Sequence, residues 1–427
     1  MYSQRSRKFI FFITDIILLF FSLFVTLVIR YGSFPTKEVW LAHQWPFVII
    51  YFIWLIIFYI AGLYDIEKFI STKELRNKIF KTMISAGAVS IIIFYLIPFF
   101  TITPKTNLVL NGLIAFILIW IWRRILFLSA VKSSKIKIYF LGKDREIEGF
   151  TIFLNERPQL GYSIVNEINL ADIIIVSENS KENPQYVQSL YNLIIQGKAV
   201  LDFNKFYETI IGKIPVSLIS KTWFLENFLE INKQMFEKLK RVIDIIFSLI
   251  LFVPLIIFYP FIAIAIKINS AGPVLYKQKR VGKNGKIFEI FKFRSMLKNA
   301  EEGGVQWAKE KDERITWSGN ILRKTRLDEL PQIWNVLMGD LSFVGPRPER
   351  PEFVKELENK IPHYSMRHIV RPGLSGWAQI NFPYGASVED AMEKMQYDLY
   401  YIKNRNLLLE ISIILKTIMT ILSHSGR

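Results

Sequence analysis

Two adjacent carboxylates, Asp328 and Glu329, lie in the middle of a basic stretch of the chain. A carboxylate can attack phosphorus as a nucleophile, and its neighbour can bind Mg²⁺ or accept a proton. Arginine side chains bind phosphate oxygens in pairs of hydrogen bonds. Taken alone, the two acids would also fit a helix cap and a helix-dipole partner. Basic residues lie on both sides of the pair: Arg323, Lys324, Arg326, Arg347 and Arg350.

Local sequence signals place these carboxylates on a helix. Thr325 is a favourable N-cap residue, and Asp328 follows three positions later, as in a capping box. Asp328, Gln332 and Asn335 share one face of an α-helix. Gly339 is predicted to end the helix. Apolar residues recur on another face and predict a buried stripe: Leu327, Leu330, Trp334 and Leu337.

This predicted helix and the region after it carry a resemblance to a known family. Residues 327–332 read Leu-Asp-Glu-Leu-Pro-Gln, and residues 335–348 read Asn-Val-Leu-x-Gly-Asp-x-Ser-x-Val-Gly-Pro-Arg-Pro. This run resembles the bacterial sugar transferases, the monotopic polyprenyl-phosphate phosphoglycosyltransferases. Further segments also match motifs of that family: residues 272–282, 291–296, 371–379 and 397–403.

The resemblance assigns roles to individual residues. Asp328 is expected to be the nucleophile, and Glu329 a Mg²⁺ ligand or proton acceptor, so both are candidate metal ligands. Asp398 is expected to be a supporting carboxylate, although its pattern also fits an ordinary acid on a surface helix. Most side chains expected to contact phosphate or nucleotide are basic: Arg280, Lys292, Arg294, Arg323, Arg347 and Arg371, together with Gln379.

The implied reaction has two steps. Asp328 attacks the phosphorus next to the sugar of a UDP-sugar, and UMP leaves. A polyprenyl phosphate, expected to be undecaprenyl phosphate, then takes the sugar phosphate from the aspartate. Mg²⁺ and arginines would stabilise the negative charge that develops. This is the first membrane step in making a bacterial surface glycan, such as an exopolysaccharide, a capsule or an O-antigen.

The composition is typical of a membrane protein with anionic partners. Hydrophobic residues make up 51% of the 427 residues, the mean hydropathy is +0.27, and the formal net charge is +17. Anionic lipid or a phosphorylated substrate would match this charge. Nucleic acid would match it too, but is not expected, because no nucleic-acid-binding motif accompanies the bases. The absence of cysteine excludes disulfides and thiolate nucleophiles.

Four apolar segments near the N-terminus each approach the roughly 20 residues that a bilayer requires. They lie at about residues 9–29, 45–63, 83–100 and 108–128. Basic residues cluster after the second and the fourth segment, which predicts that the N-terminus, the loop between the second and third segments, and the chain after residue 132 are cytoplasmic. Few charges interrupt these segments, so an anchor is favoured over a transport pathway.

Residues 135–205 show the alternation of a small α/β domain. Strands are predicted at residues 135–141, 171–177 and 199–203, and a helix at residues 184–196. The pattern resembles the Rossmann-like domain of larger family members. Gly142 stands alone where a G-x-G-x-x-G phosphate loop is expected, so we predict no bound dinucleotide.

An uncharged run at residues 245–266 precedes the catalytic motifs. It is long enough to span the membrane, but spanning would export the basic segment that follows, against the positive-inside tendency. Pro254, near its middle, can break the helix and turn it back. We therefore predict a re-entrant helix at about residues 242–267, as the resemblance implies. Residues 407–422 suit an interfacial helix.

Together these features predict a membrane protein with three domains. They are a four-helix transmembrane bundle (residues 1–131), a degenerate Rossmann-like α/β domain (132–222) and a C-terminal α+β catalytic domain with the re-entrant helix (223–427). The expected location is the bacterial inner membrane, with the catalytic domain on the cytoplasmic face, and a homodimer is left open. Two other functional interpretations stay open. A membrane-bound nucleotide-sugar dehydratase would need a nicotinamide cofactor, and a non-enzymatic scaffold for glycan export would tolerate the loss of Asp328.

Overall fold

The structure is a computed structural model. It describes residues 4–96, 105–132, 135–142, 144–181, 183–228, 233–269, 272–297, 300, 314–382, 385 and 387–422. The end of the third predicted span, residues 97–100, lies outside these ranges. So does most of the charged segment 300–312, which the sequence predicts as a loop or short helix. The chain divides into two compact units, Met1–Ile211 and Gly212–Arg427, and the three-domain division stays a prediction.

The first unit begins with long apolar helices, which fit a membrane protein. Within the described residues of the chain, five helical segments are long and apolar enough to cross a bilayer: Lys8–Tyr31, Lys37–Ile60, Thr72–Phe94, Asn107–Lys132 and, in the second unit, Gln234–Asn269. The helices of the first unit that contain such segments are α1 (Gln4–Tyr31), α2 (Lys37–Ile60), α3 (Thr72–Leu96) and α4 (Lys105–Lys132).

The helices α1 to α4 pack around a shared core that contains a buried ion pair. Leu23 of α1 and Trp54 of α2 are both buried in this core. The guanidinium of Arg123 on α4 donates to Asp15 of α1 at 2.6 Å, and both side chains are almost fully buried. A charge inside an apolar bundle is retained when it is paired. Asp15, a charged residue within the first apolar segment, therefore links α1 to α4 through its pairing with Arg123.

A parallel sheet follows in the first unit, with strand order β2-β1-β3-β4. The strands and the helix predicted from the sequence are confirmed within one or two residues, whereas α5, α6, α8 and the edge strand β2 were not predicted. The Rossmann-like assignment itself stays a prediction. The elements are β1 (Ile136–Leu141), α5 (Arg145–Asn155), β2 (Tyr162–Ile164), β3 (Ile173–Val176), α6 (Glu178–Lys181), α7 (Pro184–Ile195), β4 (Ala199–Asp202) and α8 (Phe203–Ile211).

The second unit combines helices with two small sheets. β5 and β6 form an antiparallel hairpin, and β7 pairs with β8 in parallel. Its elements are α9 (Lys221–Phe228), α10 (Gln234–Asn269), β5 (Leu275–Val281), β6 (Ile287–Phe293), α11 (Trp317–Lys324), α12 (Ile333–Met338), β7 (Ser342–Val344), α13 (Pro351–Lys360), β8 (Gly373–Ser375), α14 (Trp377–Asn381), α15 (Val388–Asn404) and α16 (Leu407–Leu422).

The apolar helix α10 is one helix of 36 residues with Pro254 and Pro260 inside it. The sequence predicts an interruption at Pro254, whereas the structure continues the helix through this residue. Proline removes one backbone hydrogen bond and can bend a helix without ending it. The re-entrant path of this segment stays a prediction.

One stripe of α10 forms polar contacts with α12, β7 and α16. Arg241 donates to the carbonyls of Val336 and Leu337 at the end of α12, the latter at 2.6 Å. Asp244 accepts from the backbone N–H of Phe343 at 3.1 Å, and Lys240 forms a buried ion pair with Glu410 of α16. The outward face of the same helix is apolar, with Val253 60% exposed. The helix is thus polar toward its own domain and apolar on its outer face, the pattern of a helix that contacts lipid.

Candidate active site

The two carboxylates lie in a 3₁₀ turn, Leu327–Gln332, between α11 and α12. The predicted N-cap at Thr325 is wrong. Thr325 is the C-cap of α11, and its hydroxyl donates to the carbonyl of Ile321 at 2.8 Å. Arg326 then adopts a left-handed conformation, with φ at 58°. Pro331 has no N–H, so an α-helix running through it from Leu327 would lack a bond. The chain therefore forms a tighter turn before α12 begins.

This tighter turn also changes the predicted apolar stripe. Leu327 and Leu330 pack against a core that includes Phe293, as predicted, but Trp334 is 48% exposed. A 3₁₀ turn has 3.0 residues per turn, so the α-helical spacing of the stripe fails across it. Gly339 ends α12 as predicted, with φ at 95°.

Asn335 fixes α12 against the hairpin. Its side chain is fully buried. The amide oxygen accepts from the N–H of Phe291 at 3.1 Å, and the amide nitrogen donates to the carbonyl of Glu289 at 2.7 Å. The amide thus pairs with the backbone of β6, the strand that carries Lys292. It holds that strand beside the 3₁₀ turn.

Glu329 is held by two cations. Its Oε1 accepts from Arg347 at 2.6 Å and from Lys292 at 3.1 Å. Burial raises the pKa of Glu329, but the charges of Arg347 and Lys292 outweigh burial and hold its pKa well below the usual range. Glu329 is therefore an anion at neutral pH. Burial also lowers the pKa of Lys292, against the opposing effect of Glu329.

Asp328 is adjacent in sequence but differs in environment. Its side chain is buried, and among the described residues its Oδ1 has no hydrogen-bond partner. Burial and the neighbouring charge of Glu329 raise the pKa of Asp328, although Lys292, Arg323 and Arg326 act in the opposite direction. The two neighbours are thus shifted in opposite directions, a feature of paired carboxylates with different tasks. Asp328 presents the less stabilised oxygen.

Three of the six predicted phosphate-binding bases lie at this turn: Lys292, Arg323 and Arg347. Arg323 donates from Nε to the hydroxyl of Ser295 at 2.9 Å and lies near enough to Asp328 to influence its pKa. Arg294 is buried beside Gly272, where an added Cβ would lie 2.2 Å from the guanidinium. Lys292 and Arg347 contact Glu329 directly, as described above.

Arg280 contacts the segment in which Pro346 and Pro348 flank Arg347, instead of the two carboxylates. Its Nη1 donates to the carbonyl of Pro348 at 2.9 Å, and its other nitrogens donate to Gln278. Burial lowers the pKa of Arg280, opposed by Glu349. Its predicted role toward phosphate stays a prediction.

The remaining predicted residues lie in contacts of their own. Asp398 is fully buried and accepts from Arg367 at 2.8 Å. Gln379 donates to the carbonyl of Leu374 at 3.3 Å, and within the described parts of the chain its Oε1 has no hydrogen-bond partner. Arg371 is half-buried and lies two residues before β8. The structure does not bring Asp398 into contact with the Asp328–Glu329 pair.

Sequence reasoning overlooked Arg367, which lies in the 3₁₀ turn Tyr364–Ile369. Its guanidinium is buried and donates to the hydroxyl of Tyr364, to Asp398 and to the carbonyl of Arg347. The available signal was weak, because a lone arginine among surface-like residues does not announce burial. From the sequence alone, Arg367 could not be distinguished from an arginine on the surface.

The carboxylate pair fits a magnesium ion. In the described part of the chain, no three His, Cys, Asp or Glu side chains gather as a ready-made metal site. Mg²⁺, however, is commonly held by one or two carboxylates together with substrate phosphates and water. The buried Oδ1 of Asp328, which lacks a hydrogen-bond partner among described residues, is an available oxygen ligand.

The sequence of the second unit matches known proteins. Residues 235–424 match the model of the family described as "Bacterial sugar transferase". A relative from Aeromonas hydrophila, named "UDP-N-acetylgalactosamine-undecaprenyl-phosphate N-acetylgalactosaminephosphotransferase", is 43% identical over 232 residues, which cover 53% of each chain. A relative from Escherichia coli, named "UDP-glucose:undecaprenyl-phosphate glucose-1-phosphate transferase", is 40% identical over 184 residues, 42% of this chain and 39% of that protein.

A shorter relative is covered almost completely. The "Exopolysaccharide production protein PSS" of Rhizobium leguminosarum bv. phaseoli is 40% identical over 188 residues, which are 43% of this chain and 94% of that protein. The longer relatives are matched over about half of their length or less. The family match, residues 235–424, contains the buried carboxylate pair and the bases that contact it. By these matches, the chain belongs to the bacterial sugar transferase family.

Proposed function

We propose that this protein transfers a sugar 1-phosphate from a UDP-sugar to undecaprenyl phosphate and releases UMP. The observation that carries the proposal is the contrast between Asp328 and Glu329. Glu329 is neutralised by Arg347 and Lys292, whereas the buried Oδ1 of Asp328 has no hydrogen-bond partner in the described part of the chain. The names of the relatives, which act on undecaprenyl phosphate, support the same reaction.

In the first step, Asp328 acts as the nucleophile. A carboxylate oxygen forms a bond to the phosphorus that carries the sugar, and the bond from this phosphorus to the oxygen of the leaving UMP breaks with its electron pair. The product on the enzyme is an aspartyl phosphosugar, a mixed anhydride. Burial suits this step, because a poorly solvated carboxylate is more reactive than a hydrated one.

In the second step, an oxygen of the lipid phosphate attacks the same phosphorus. The bond between phosphorus and Asp328 breaks, and the carboxylate is restored. The lipid now carries the sugar through a diphosphate, so atoms and charges balance over the two steps. Splitting the transfer also spares two anionic substrates from meeting directly. Arg347 and Lys292, which contact Glu329, and Arg323, which contacts Ser295, would stabilise the charge on the transferred phosphate.

A magnesium ion would be held by Asp328 and Glu329 together with the donor phosphates. When bound, it would act as a Lewis acid on the phosphate oxygens. Before the donor arrives, Glu329 is already paired with Arg347 and Lys292. These cations would share the negative charge of Glu329 with the ion.

The surroundings of the site fit a lipid acceptor. The outer face of α10 is apolar, and α16 exposes Leu408 and Ile411. We propose that α10 is re-entrant, that the second unit works on the cytoplasmic face of the inner membrane, and that the parallel sheet of the first unit is Rossmann-like. The reaction would then begin the synthesis of a surface polysaccharide such as an exopolysaccharide.

The test is to identify the nucleotide that the protein releases. Membranes containing the full chain are incubated with undecaprenyl phosphate, Mg²⁺ and a panel of UDP-sugars. Release of UMP from one donor supports the proposal, because the phosphate then travels with the sugar. Release of UDP would contradict it, because only the sugar would have moved. Asp328→Asn is the matched control for background hydrolysis.

A further inference from the structure

The segment that carries Arg347 is held by hydrogen bonds to its backbone carbonyls. The carbonyl of Val344 accepts from the hydroxyl of Tyr401 at 3.2 Å, and that of Pro346 accepts from the N–H of Gly373 at 2.9 Å. The carbonyl of Glu349 accepts from the N–H of Val281 at 2.9 Å. A loop normally leaves such groups to water. Here three elements, β5, β8 and α15, hold it.

The carbonyls of Arg347 and Pro348 are held by arginine side chains. Arg367 Nη2 donates to the carbonyl of Arg347 at 2.9 Å, and Arg280 Nη1 donates to the carbonyl of Pro348 at 2.9 Å. The guanidinium of Arg347 itself points to Glu329 at 2.6 Å and is 34% exposed. Its backbone is thus clamped on one side while its side chain stays accessible on the other.

Arg367 is itself held in one orientation. Asp398 accepts from Nη2 at 2.8 Å, Tyr364 accepts from Nη1, and the ring of Tyr364 lies 5.0 Å from the guanidinium carbon. The side chains of Arg367 and Asp398 are 6% and 2% exposed. A buried guanidinium with a fixed fork directs each N–H at a set target. One of those targets is the Arg347 backbone.

We propose that Arg367, oriented by Asp398, is a positioning residue for Arg347 and holds its guanidinium where the phosphate of the donor binds. This inference rests on the function proposed above. It gives Asp398 the task of orienting Arg367, in place of contact with substrate. Arginine has many rotamers, and fixing its backbone shortens the search for the productive one.

The close packing of two glycines supports the same role. A Cβ added to Gly373 would lie 2.1 Å from the N–H nitrogen of Gly345, and one added to Gly345 would lie 2.5 Å from the carbonyl oxygen of Arg371. The motif glycines therefore allow β8 to approach the Arg347 segment closely. That approach places the N–H of Gly373 on the carbonyl of Pro346. The Arg347 segment is thus held both by backbone hydrogen bonds and by the side chains of Arg367 and Arg280.

The test is a double-mutant cycle on UMP release by the full chain in membranes. Arg347→Lys and Arg367→Lys are made singly and together. If Arg367 acts through Arg347, each single variant lowers kcat by about 10-fold to 30-fold, and the double variant is within about 2-fold of Arg347→Lys. A purely structural role would multiply the two effects, giving about 100-fold or more, and would overturn the proposal.

Further variants separate folding from positioning. Ile413→Val, in the buried core of the same unit, is the control for a general loss of stability, and is expected to leave the coupling with Arg347→Lys at zero. If Arg367→Lys does not accumulate in membranes, Asp398→Asn replaces it in the cycle, with the same expected coupling. Independent effects in that cycle would also overturn the proposal.

The same measurements keep this inference apart from the proposed function. If the unaltered protein releases no UMP from any donor, the proposed function fails, and the positioning role fails with it. If the unaltered protein releases UMP and the variant effects multiply, the function stands and only the positioning role is lost. Coupled effects in an active protein support both.

Discussion

The second unit contains two clusters that pair carboxylates with arginine, and they differ in how completely their bonding groups are used. In the cluster around Arg367, both charged side chains are almost fully buried and the guanidinium has protein partners on both terminal nitrogens. In the cluster around Glu329, Arg347 is one-third exposed, and Asp328 keeps an oxygen without a hydrogen-bond partner among the described residues.

In the proposed mechanism, this difference separates a group that positions other residues from a group that reacts. A closed cluster offers no donor or acceptor to a ligand, so its contribution goes to the rigidity of the fold. An open cluster keeps charge and hydrogen-bonding capacity for a substrate at some cost to stability. What distinguishes the two clusters is therefore whether a hydrogen-bonding atom, such as Oδ1 of Asp328, has no partner among the described residues. Burial alone does not discriminate, because Asp328 and Asp398 are both buried.

The largest effect is expected from Asp328→Asn. An amide cannot attack phosphorus as a carboxylate does, so UMP release should fall by about 10³-fold or more. The acid-quenched protein should also lose its labelled phosphosugar adduct. Asp172→Asn, an exposed aspartate of the first unit, is the matched control and should keep both. Unchanged turnover in Asp328→Asn would contradict the proposed role of Asp328 as nucleophile.

Glu329→Gln should have the next largest effect. The change leaves Arg347 and Lys292 without their anion and weakens the hold on Mg²⁺, so kcat should fall by about 10²-fold. Glu358→Gln on the exposed face of α13 is the matched control. Measuring UMP release against Mg²⁺ concentration separates the two causes. An unchanged Mg²⁺ requirement would show that Glu329 serves only to hold its cations.

The pH dependence of kcat/KM sharpens the comparison further. Asp328 must be ionised to attack, and burial with the charge of Glu329 raises its pKa. Activity should therefore decline, as the pH falls, at a higher pH than an ordinary aspartate near 3.9 would give. Titrating UMP release at limiting UDP-sugar checks this. A decline centred at or below about pH 3.9 would contradict the raised pKa.

The smallest effect concerns the stability of the closed cluster. Burial raises the pKa of Asp398 to about 6, against the opposing effect of Arg367. Since this folded pKa lies above the unfolded value of about 3.9, the stabilisation is fully present below about pH 3.9 and is lost as the pH rises through about 6.

Replacing Asp398 by asparagine removes this titration. The unfolding temperature of Asp398→Asn should therefore vary less between pH 4 and pH 7 than that of the unaltered protein, by about 2–4 °C. Thermal unfolding in detergent at matched salt measures it. Parallel curves for the two proteins would contradict the raised pKa of Asp398. Asp172→Asn, with an exposed side chain, should follow the unaltered protein.

Much of the fold followed from local sequence patterns. Long apolar segments predict helices because each residue can satisfy its backbone within the helix and place an apolar side chain outward. Strands were predicted at residues 135–141 and 171–177, the second from its apolar run, and the structure confirms both as Ile136–Leu141 and Ile173–Val176. The helix α7 and the end of α12 at Gly339 were also predicted, since a left-handed glycine ends a helix wherever it occurs.

The candidate site was only partly determined in this way. The sequence identified Asp328, Glu329 and Arg347 as chemically suitable and placed them in one segment, which the structure brings together with Lys292 from a distant strand. It did not show that Thr325 ends a helix instead of starting one, because that depends on how the chain crosses Pro331. It also treated Asp398 as a companion of Asp328.

Tertiary structure decided which charges meet. The sequence by itself determined the types of residue, the apolar helices and the motif that places this chain in its family. Which charged side chains pair depends on residues that lie far apart in the chain. Arg367 and Asp398, for example, are 31 positions apart. Burial and pairing set the state of a carboxylate through neighbours within a few ångströms, and sequence spacing does not encode those distances.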